Sequence, residues 1–278
     1  MLNFIQTPAS SFIPPPHPSS FILHPSSLIL HGFTGSAAEW ADLTPHLIPY
    51  RHVVAVDLPG HGLSPGDACS MQGCVADLLS LMDDLGHAQF DLLGYSLGGR
   101  VALHLAAFAP ERVRSLILES ASPGLATPAE RVARAAADDA LADQIMAQGV
   151  ERFADHWQNI PLFASQSSVP AEIRAALRER RLRNSPAGLA ASLRGMGTGR
   201  QESLWPRLDT MTMPALLITG TLDTKFVAIN QQMAALMPNS RHITIPGAGH
   251  TVHLERPEEF AERVVGFLRQ GAIADCRL

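Results

Sequence analysis

The run Phe90-Asp91-Leu92-Leu93-Gly94-Tyr95-Ser96-Leu97-Gly98-Gly99-Arg100 passes from a strand-like tetrapeptide through G-x-S-x-G into a segment, 97–108, whose apolar residues recur at helical spacing. A serine raised on so tight a strand-to-helix turn needs small neighbours, which Gly94 and Gly98 supply, and its Oγ then stands near a helix N-terminus. Ser96 is therefore a candidate nucleophile or base. A serine hydroxyl serves poorly as either until a histidine takes its proton and an acid fixes that histidine's tautomer. Where such a turn is catalytic, the partners follow in the order Ser, Asp, His.

Downstream, Ala215–Gly220 reads as a strand ending in a glycine turn, and Asp223 follows at its C-terminal end. Pro246-Gly247-Ala248-Gly249-His250 sets a histidine in a flexible loop after the last strand. Asp209 and Glu255 compete with Asp223 as the acid, and His253 competes with His250 as the base. Position at the strand ends favours Asp223 and His250, since His253 lacks the preceding glycine turn. Upstream, Leu30-His31-Gly32-Phe33-Thr34-Gly35 follows the first clear strand. In a fold of this kind the N–H after the HG pair and the N–H after the serine aim at one spot, which makes Phe33 and Leu97 the expected oxyanion donors. The turn Asp57–Gly62 (DLPGHG) reads as structural.

Around these motifs, short β-rich runs alternate with helical ones. Strands are expected at 27–30, 52–57, 90–94, 113–119, 215–219 and 241–245, with helices at 37–47, 72–85, 97–108, 226–237 and 257–269. That alternation predicts an α/β fold with a mostly parallel sheet and helices on both faces. From about 123 to 207 no strand is evident, and helical stretches are separated by Pro161, Pro170 and Pro186. Such an insertion predicts a helical cap beyond the carboxyl ends of the strands, where open α/β sheets bind ligands.

The 278 residues are 46% hydrophobic and 17% charged, the profile of one soluble catalytic domain with no run long and apolar enough to span a membrane. Three cysteines without paired spacing indicate neither a disulfide framework nor a zinc site, and a reducing, cytoplasmic setting is expected. No metal cluster or dinucleotide fingerprint occurs, so no cofactor is expected. The net charge of −5 offers no basic field for nucleic acid. Charge is uneven, however: residues 125–207 hold 11 of the 21 Lys+Arg against 9 of the 26 Asp+Glu, a net of +2 against −7 for the rest, suiting this segment to an anionic ligand.

The first 26 residues contain no Lys or Arg, so the basic start of a secretory signal is missing and export is not expected. His17–Leu23 (HPSSFIL) is nearly repeated by His24–Leu30 (HPSSLIL) after a Pro14-Pro15-Pro16 run. Residues 1–26 are expected to form a poorly ordered extension, 27–270 the domain, and 271–278 a C-terminal tail.

Across 27–270 these motifs resemble the α/β-hydrolase superfamily. A narrower resemblance rests on GYSLGGR at 94–100, ESASPGL at 119–125, Arg131 and Arg134 before Asp138-Asp139, Trp157 followed by Pro161-Leu162-Phe163, and Arg183 ahead of Gly188–Leu193. These are similar to the 2-succinyl-6-hydroxy-2,4-cyclohexadiene-1-carboxylate synthases of menaquinone biosynthesis, lyases on a hydrolase fold. The resemblance implies a cap inserted after the sixth strand and elimination of pyruvate from 2-succinyl-5-enolpyruvyl-6-hydroxy-3-cyclohexene-1-carboxylate. Ser96, activated by His250 and Asp223, would remove a ring proton. It also implies that Arg100, Arg134 and Arg183 hold the three carboxylates of this small anionic substrate, with Tyr95 and Trp157 in the pocket, since a guanidinium grips a carboxylate through two parallel hydrogen bonds. Arg178, Arg180 and Arg181 crowd around Arg183, and only the resemblance selects among them. Members of the superfamily usually open with a hairpin before the HG strand, which residues 1–25 do not suggest; without it one sheet edge lies exposed.

The same triad would serve a carboxylesterase or a C–C bond hydrolase. A small-molecule receptor that keeps the triad but signals through its cap is a third reading. Converging arginines separate the tricarboxylate lyase from a hydrolase of neutral esters, which has no use for them.

Overall fold

Leu28, Leu30, Leu92, Leu116, Leu118 and Leu217 point to one face of a sheet, and Ile29, Leu93, Ile117, Leu216 and Ile218 to the other, all at most 2% exposed. The period-two alternation of the strand thus loads both faces with apolar side chains, as a parallel sheet covered on both sides requires. Each such side chain contributes roughly 1.5–3 kcal/mol relative to remaining exposed. The computed structural model describes residues 1–9, 25–66 and 69–275. Its strands are β1 (Phe4–Thr7), β2 (Ser26–Leu30), β3 (His52–Val56), β4 (Phe90–Tyr95), β5 (Val113–Glu119), β6 (Ala215–Gly220) and β7 (Ser240–Ile245), in the spatial order β1-β3-β2-β4-β5-β6-β7. All neighbours pair in parallel except β1, which runs antiparallel to β3 with Phe4 opposite Val56.

The helices are α1 (Thr44–Leu47), α2 (Met71–Asp84), α3 (Leu97–Phe108), α4 (Pro128–Trp157), α5 (Ala171–Leu182), α6 (Pro186–Met196), α7 (Thr224–Leu236), α8 (Val252–Glu255) and α9 (Pro257–Asp275). Residues of α2, α3 and α7 pack on the first face, and those of α1 and α9 on the second. The chain turns one way from β2 to β3 and the other way from β4 to β5, so the carboxyl ends of β2 and β4 flank the crevice at which such sheets bind ligands.

Between β5 and β6 the chain leaves the sheet to form α4, a 3-10 turn at Pro161–Ser168, α5 and α6. The prolines that break the sequence pattern begin these elements: Pro128, Pro161 and Pro186 sit in first turns, where a missing N–H costs nothing, and Pro170 precedes α5. Gly149 interrupts α4 with φ +81, a left-handed conformation that glycine adopts without strain. Ala142, Ile145, Phe153, Leu189, Ala190 and Leu193 close the cap's own small core.

Two expectations are corrected. Residues 1–26 are not uniformly an unstructured extension, because Phe4–Thr7 forms β1 and covers the edge of β3; the HPSSFIL repeat at 17–23 lies outside the described residues. Among the described residues a single strand precedes β2, and the cap follows the fifth described strand. The expected tail at 271–278 begins as helix, α9 running to Asp275. Among the described residues no helix is long and apolar enough to cross a membrane.

Candidate active site

Ser96 joins β4 to α3 with φ 50 and ψ −105, a positive-φ conformation unusual for a residue with a side chain. Small neighbours permit it: a Cβ on Gly94 would collide with the backbone of Gly98, and one on Gly98 with the carbonyl of Leu30. The Gly98 N–H donates to the His31 carbonyl at 3.0 Å, which ties the elbow to the HG loop after β2. That loop is held by His31 itself. Its Nδ1–H donates to the Gly32 carbonyl at 2.7 Å and its Nε2 accepts the Leu58 N–H at 3.0 Å, an arrangement that requires the neutral ring. Burial pushes the His31 pKa down, in keeping with that role. The N–H groups of Phe33 and Leu97 have no acceptor among the described residues; Leu97 opens α3, whose first N–H groups lack intrahelical partners.

From the far side of the sheet come the other two groups. Asp223 lies three residues beyond β6, and its Oδ2 accepts the His250 Nδ1–H at 2.7 Å. His250 Nε2 in turn accepts the Ser96 hydroxyl at 3.1 Å. Asp223 and His250 are both buried. The competing residues are elsewhere engaged: Asp209 is exposed, and Glu255 accepts the N–H groups of Gly249 and Thr251, fixing the loop that carries His250. His253 is clamped on another pair of acids, donating Nδ1–H to Glu119 at 2.8 Å with Glu39 3.7 Å from its Nε2. Burial alone would lower the His253 pKa, but Glu119 and Glu39 outweigh it and raise the group to about 10. This buried imidazolium with its two carboxylates was not legible beforehand.

The cap supplies an aromatic wall and most of the cations. Trp157 packs edge-on against Phe33 at 5.4 Å and Phe163 at 5.9 Å, and Phe163 reaches His250 at 6.1 Å. The buried indole N–H of Trp157 has no acceptor among the described residues. The Tyr95 ring lies 5.5 Å from that of His250. Arg100, one turn along α3 from Ser96, donates Nη1 to the Met196 carbonyl at 2.8 Å and to Gln201 Oε1 at 3.1 Å. Burial, reinforced by Arg134, lowers the Arg100 pKa to about 10, which still leaves it cationic at neutral pH. Arg134 pairs with Asp138 at 2.8 Å.

Arg183 is exposed just past the end of α5. The arginine of this cluster that turns inward is Arg181, 5% exposed, with its guanidinium 5.4 Å from the Phe163 ring centre and within electrostatic reach of Tyr95. It lines a cavity of about 210 Å³ together with Gln158, Phe163, Gln166, Arg174 and Leu177. Helical spacing held the signal: Leu177 and Arg181, four apart, share the buried face, and Arg183 is turned away from it. Among the described residues no cluster of His, Cys, Asp and Glu is arranged to hold a metal.

Comparison with known proteins gives a consistent picture. Residues 28–257 match the family described as the alpha/beta hydrolase fold. A Bacillus subtilis protein, provisionally named a 2-succinyl-6-hydroxy-2,4-cyclohexadiene-1-carboxylate synthase, is 46% identical over 86% of this chain and 88% of its own length. An Enterobacter protein of that name is 34% identical over 86% of this chain and 90% of its own. Among solved structures, that of MenH from S. aureus superposes with a TM-score of 0.90 at 35% identity, covering 98% of this chain and all of that one.

Proposed function

Because the chain belongs to the α/β-hydrolase fold family, and within it to the 2-succinyl-6-hydroxy-2,4-cyclohexadiene-1-carboxylate synthases, we propose that it is the lyase that eliminates pyruvate from 2-succinyl-5-enolpyruvyl-6-hydroxy-3-cyclohexene-1-carboxylate. The observation that carries the reading is the unbroken relay from Ser96 through His250 to Asp223, at 3.1 and 2.7 Å, beside two unengaged backbone N–H groups.

In this mechanism Ser96 Oγ gives its proton to His250 Nε2 and takes the acidic ring proton of the substrate. Asp223 holds the imidazole in the required tautomer and stabilises its charged form. Charge on the succinyl carbonyl oxygen is received by the Phe33 and Leu97 amides, aligned before the reaction starts. The electron pair then forms the C2–C3 double bond, the existing 3,4 double bond shifts to C4–C5 as the C5–O bond to the enolpyruvyl group breaks, and the leaving enol oxygen takes a proton from the His250 imidazolium before the enol ketonises to pyruvate. No acyl-enzyme forms and no water is added.

The substrate's three carboxylates call for cations, and Arg100, Arg134 and Arg183 are the candidates, with the buried Arg181 a further one beside Arg183. Arg100 has donors left after its two bonds to Met196 and Gln201. Tyr95 and Trp157 would line the ring pocket. The test is incubation of the purified protein with the enolpyruvyl substrate in oxygen-18 water. Pyruvate should appear, no solvent oxygen should enter the cyclohexadiene carboxylates, and Ser96→Ala should lower the rate by several orders of magnitude. Fast hydrolysis of p-nitrophenyl esters with no pyruvate would make the protein a carboxylesterase instead.

A further inference from the structure

The cap's 3-10 turn, Pro161–Ser168, is seated directly on the loop that carries His250. Phe163 touches the His250 ring, and a Cβ on Gly249 would collide with Ser165 Oγ. Gln166 Nε2 donates to Thr251 Oγ1 at 3.0 Å. The Thr251 hydroxyl also shares a hydrogen bond of 2.8 Å with the hydroxyl of Tyr95. Gln166, Thr251 and Tyr95 are each no more than 5% exposed. Tyr95 precedes Ser96 and Thr251 follows His250, so one buried chain of three polar side chains joins cap, histidine loop and serine elbow. The Tyr95 ring is in turn packed against Gly32 of the HG loop. Gln166 also lines the cavity into which Arg181 faces, so the same cap turn borders both a binding cation and the base.

We propose that Gln166 and Thr251 are positioning residues, which set the His250 imidazole against Ser96 only when the cap turn is seated on the loop. A side chain ordered in this way costs the reaction no reorganisation, whereas an imidazole displaced by about 1 Å can lose on the order of a hundredfold in rate. In this role neither residue exchanges a proton with the substrate; both act through His250. The inference rests on Ser96, His250 and Asp223 acting as one relay.

The test uses two readouts on the intact protein: steady-state pyruvate release, and the rate at which a fluorophosphonate labels Ser96, which needs the relay but not the substrate. Gln166→Leu and Thr251→Val keep volume and remove the hydrogen bonds. Each should lower kcat and the labelling rate together by about tenfold with KM within about twofold, and Thr251→Ser should recover most of both. Combining Gln166→Leu with Thr251→Val should cost little more than the worse single change, because both break one chain. The proposal is overturned if labelling is unchanged, if KM alone rises, or if Thr251→Ser is as slow as Thr251→Val. It is also overturned if the rate losses simply follow a loss of folded protein by circular dichroism. A wild type that labels yet releases no pyruvate would sink the substrate assignment while leaving the positioning chain testable. A wild type that does not label at all would sink the relay and this inference with it.

Discussion

Arg51 at the base of the sheet and Arg181 in the cap are equally hidden from solvent, 4% and 5% exposed, yet they are held in opposite ways. Arg51 is bonded through each of its three nitrogens: Nε meets Asp91 at 2.7 Å, Nη1 the Tyr50 carbonyl and Nη2 the Leu268 carbonyl, while Asp91 is further bound by Ser115. Arg181 has a ring face beneath it and no carboxylate at ion-pairing distance among the described residues. Burying a charge is costly unless it is paired, so Arg181, left with electrostatic partners only at longer range, is the less compensated of the two. Arg51 ties the sheet together, whereas Arg181, in the function proposed above, is left for an anionic ligand.

The largest effect should come from the sheet side as pH rises. Glu119 and Glu39 hold the His253 pKa at about 10 against an ordinary 6.5, so its charged form stabilises the fold fully below pH 6.5 and that contribution is lost as pH climbs through 10. Glu39, raised by burial but lowered on balance from 4.5 by the charge of His253 3.7 Å away, contributes above pH 4.5 and is lost as pH falls through its native value. Urea unfolding should therefore show greatest stability between these limits and a decline of roughly 1 kcal/mol per pH unit on the alkaline side. His253→Gln should flatten that decline; an unchanged slope would show that the clamp carries no charge.

Next, Arg51→Ala should leave Asp91 buried without its partner and cost about 3–5 kcal/mol of stability, while the protein that remains folded keeps its kcat/KM. Arg181→Ala should do the reverse. It should lower kcat/KM by about thirty-fold to several thousand-fold, corresponding to roughly 2–5 kcal/mol for a buried charge-assisted pair, with little loss of stability. Lysine should restore part of the activity, since one ammonium cannot reproduce the two parallel donors. The smallest effect belongs to Arg178 of the same helix, paired with Asp155: Arg178→Ala should change kcat/KM by less than about threefold. Loss of stability without loss of rate at Arg181 would erase the contrast with Arg51.

How far the sequence spoke depended on the kind of signal. The elbow was legible because a strained turn demands glycine at fixed offsets, and the sheet because six strand-like runs alternate with helical ones. Phe4–Thr7 was not, since a four-residue edge strand half open to solvent carries no clear alternation and is defined by its partner β3. Arg181 and Arg183 differ by two residues in a run of similar charge; the resemblance selects Arg183, whereas the Leu177 spacing puts Arg181 on the buried face. The Glu39–His253–Glu119 clamp joins residues from three separate segments, and no local pattern announces such a contact.

Arg100 bonds the Met196 carbonyl and Gln201 while standing one turn from Ser96, so a guanidinium proposed to meet the ligand is also a rivet between elbow helix and cap. For the evolution of new substrates this is a constraint of its own kind. A lineage could exchange Arg181 and alter the preferred anion with the cap left in place, but exchanging Arg100 would shift the roof of the pocket along with its charge. Divergence in specificity is therefore expected to run through the outer cap first, with the elbow arginine as the last position free to change.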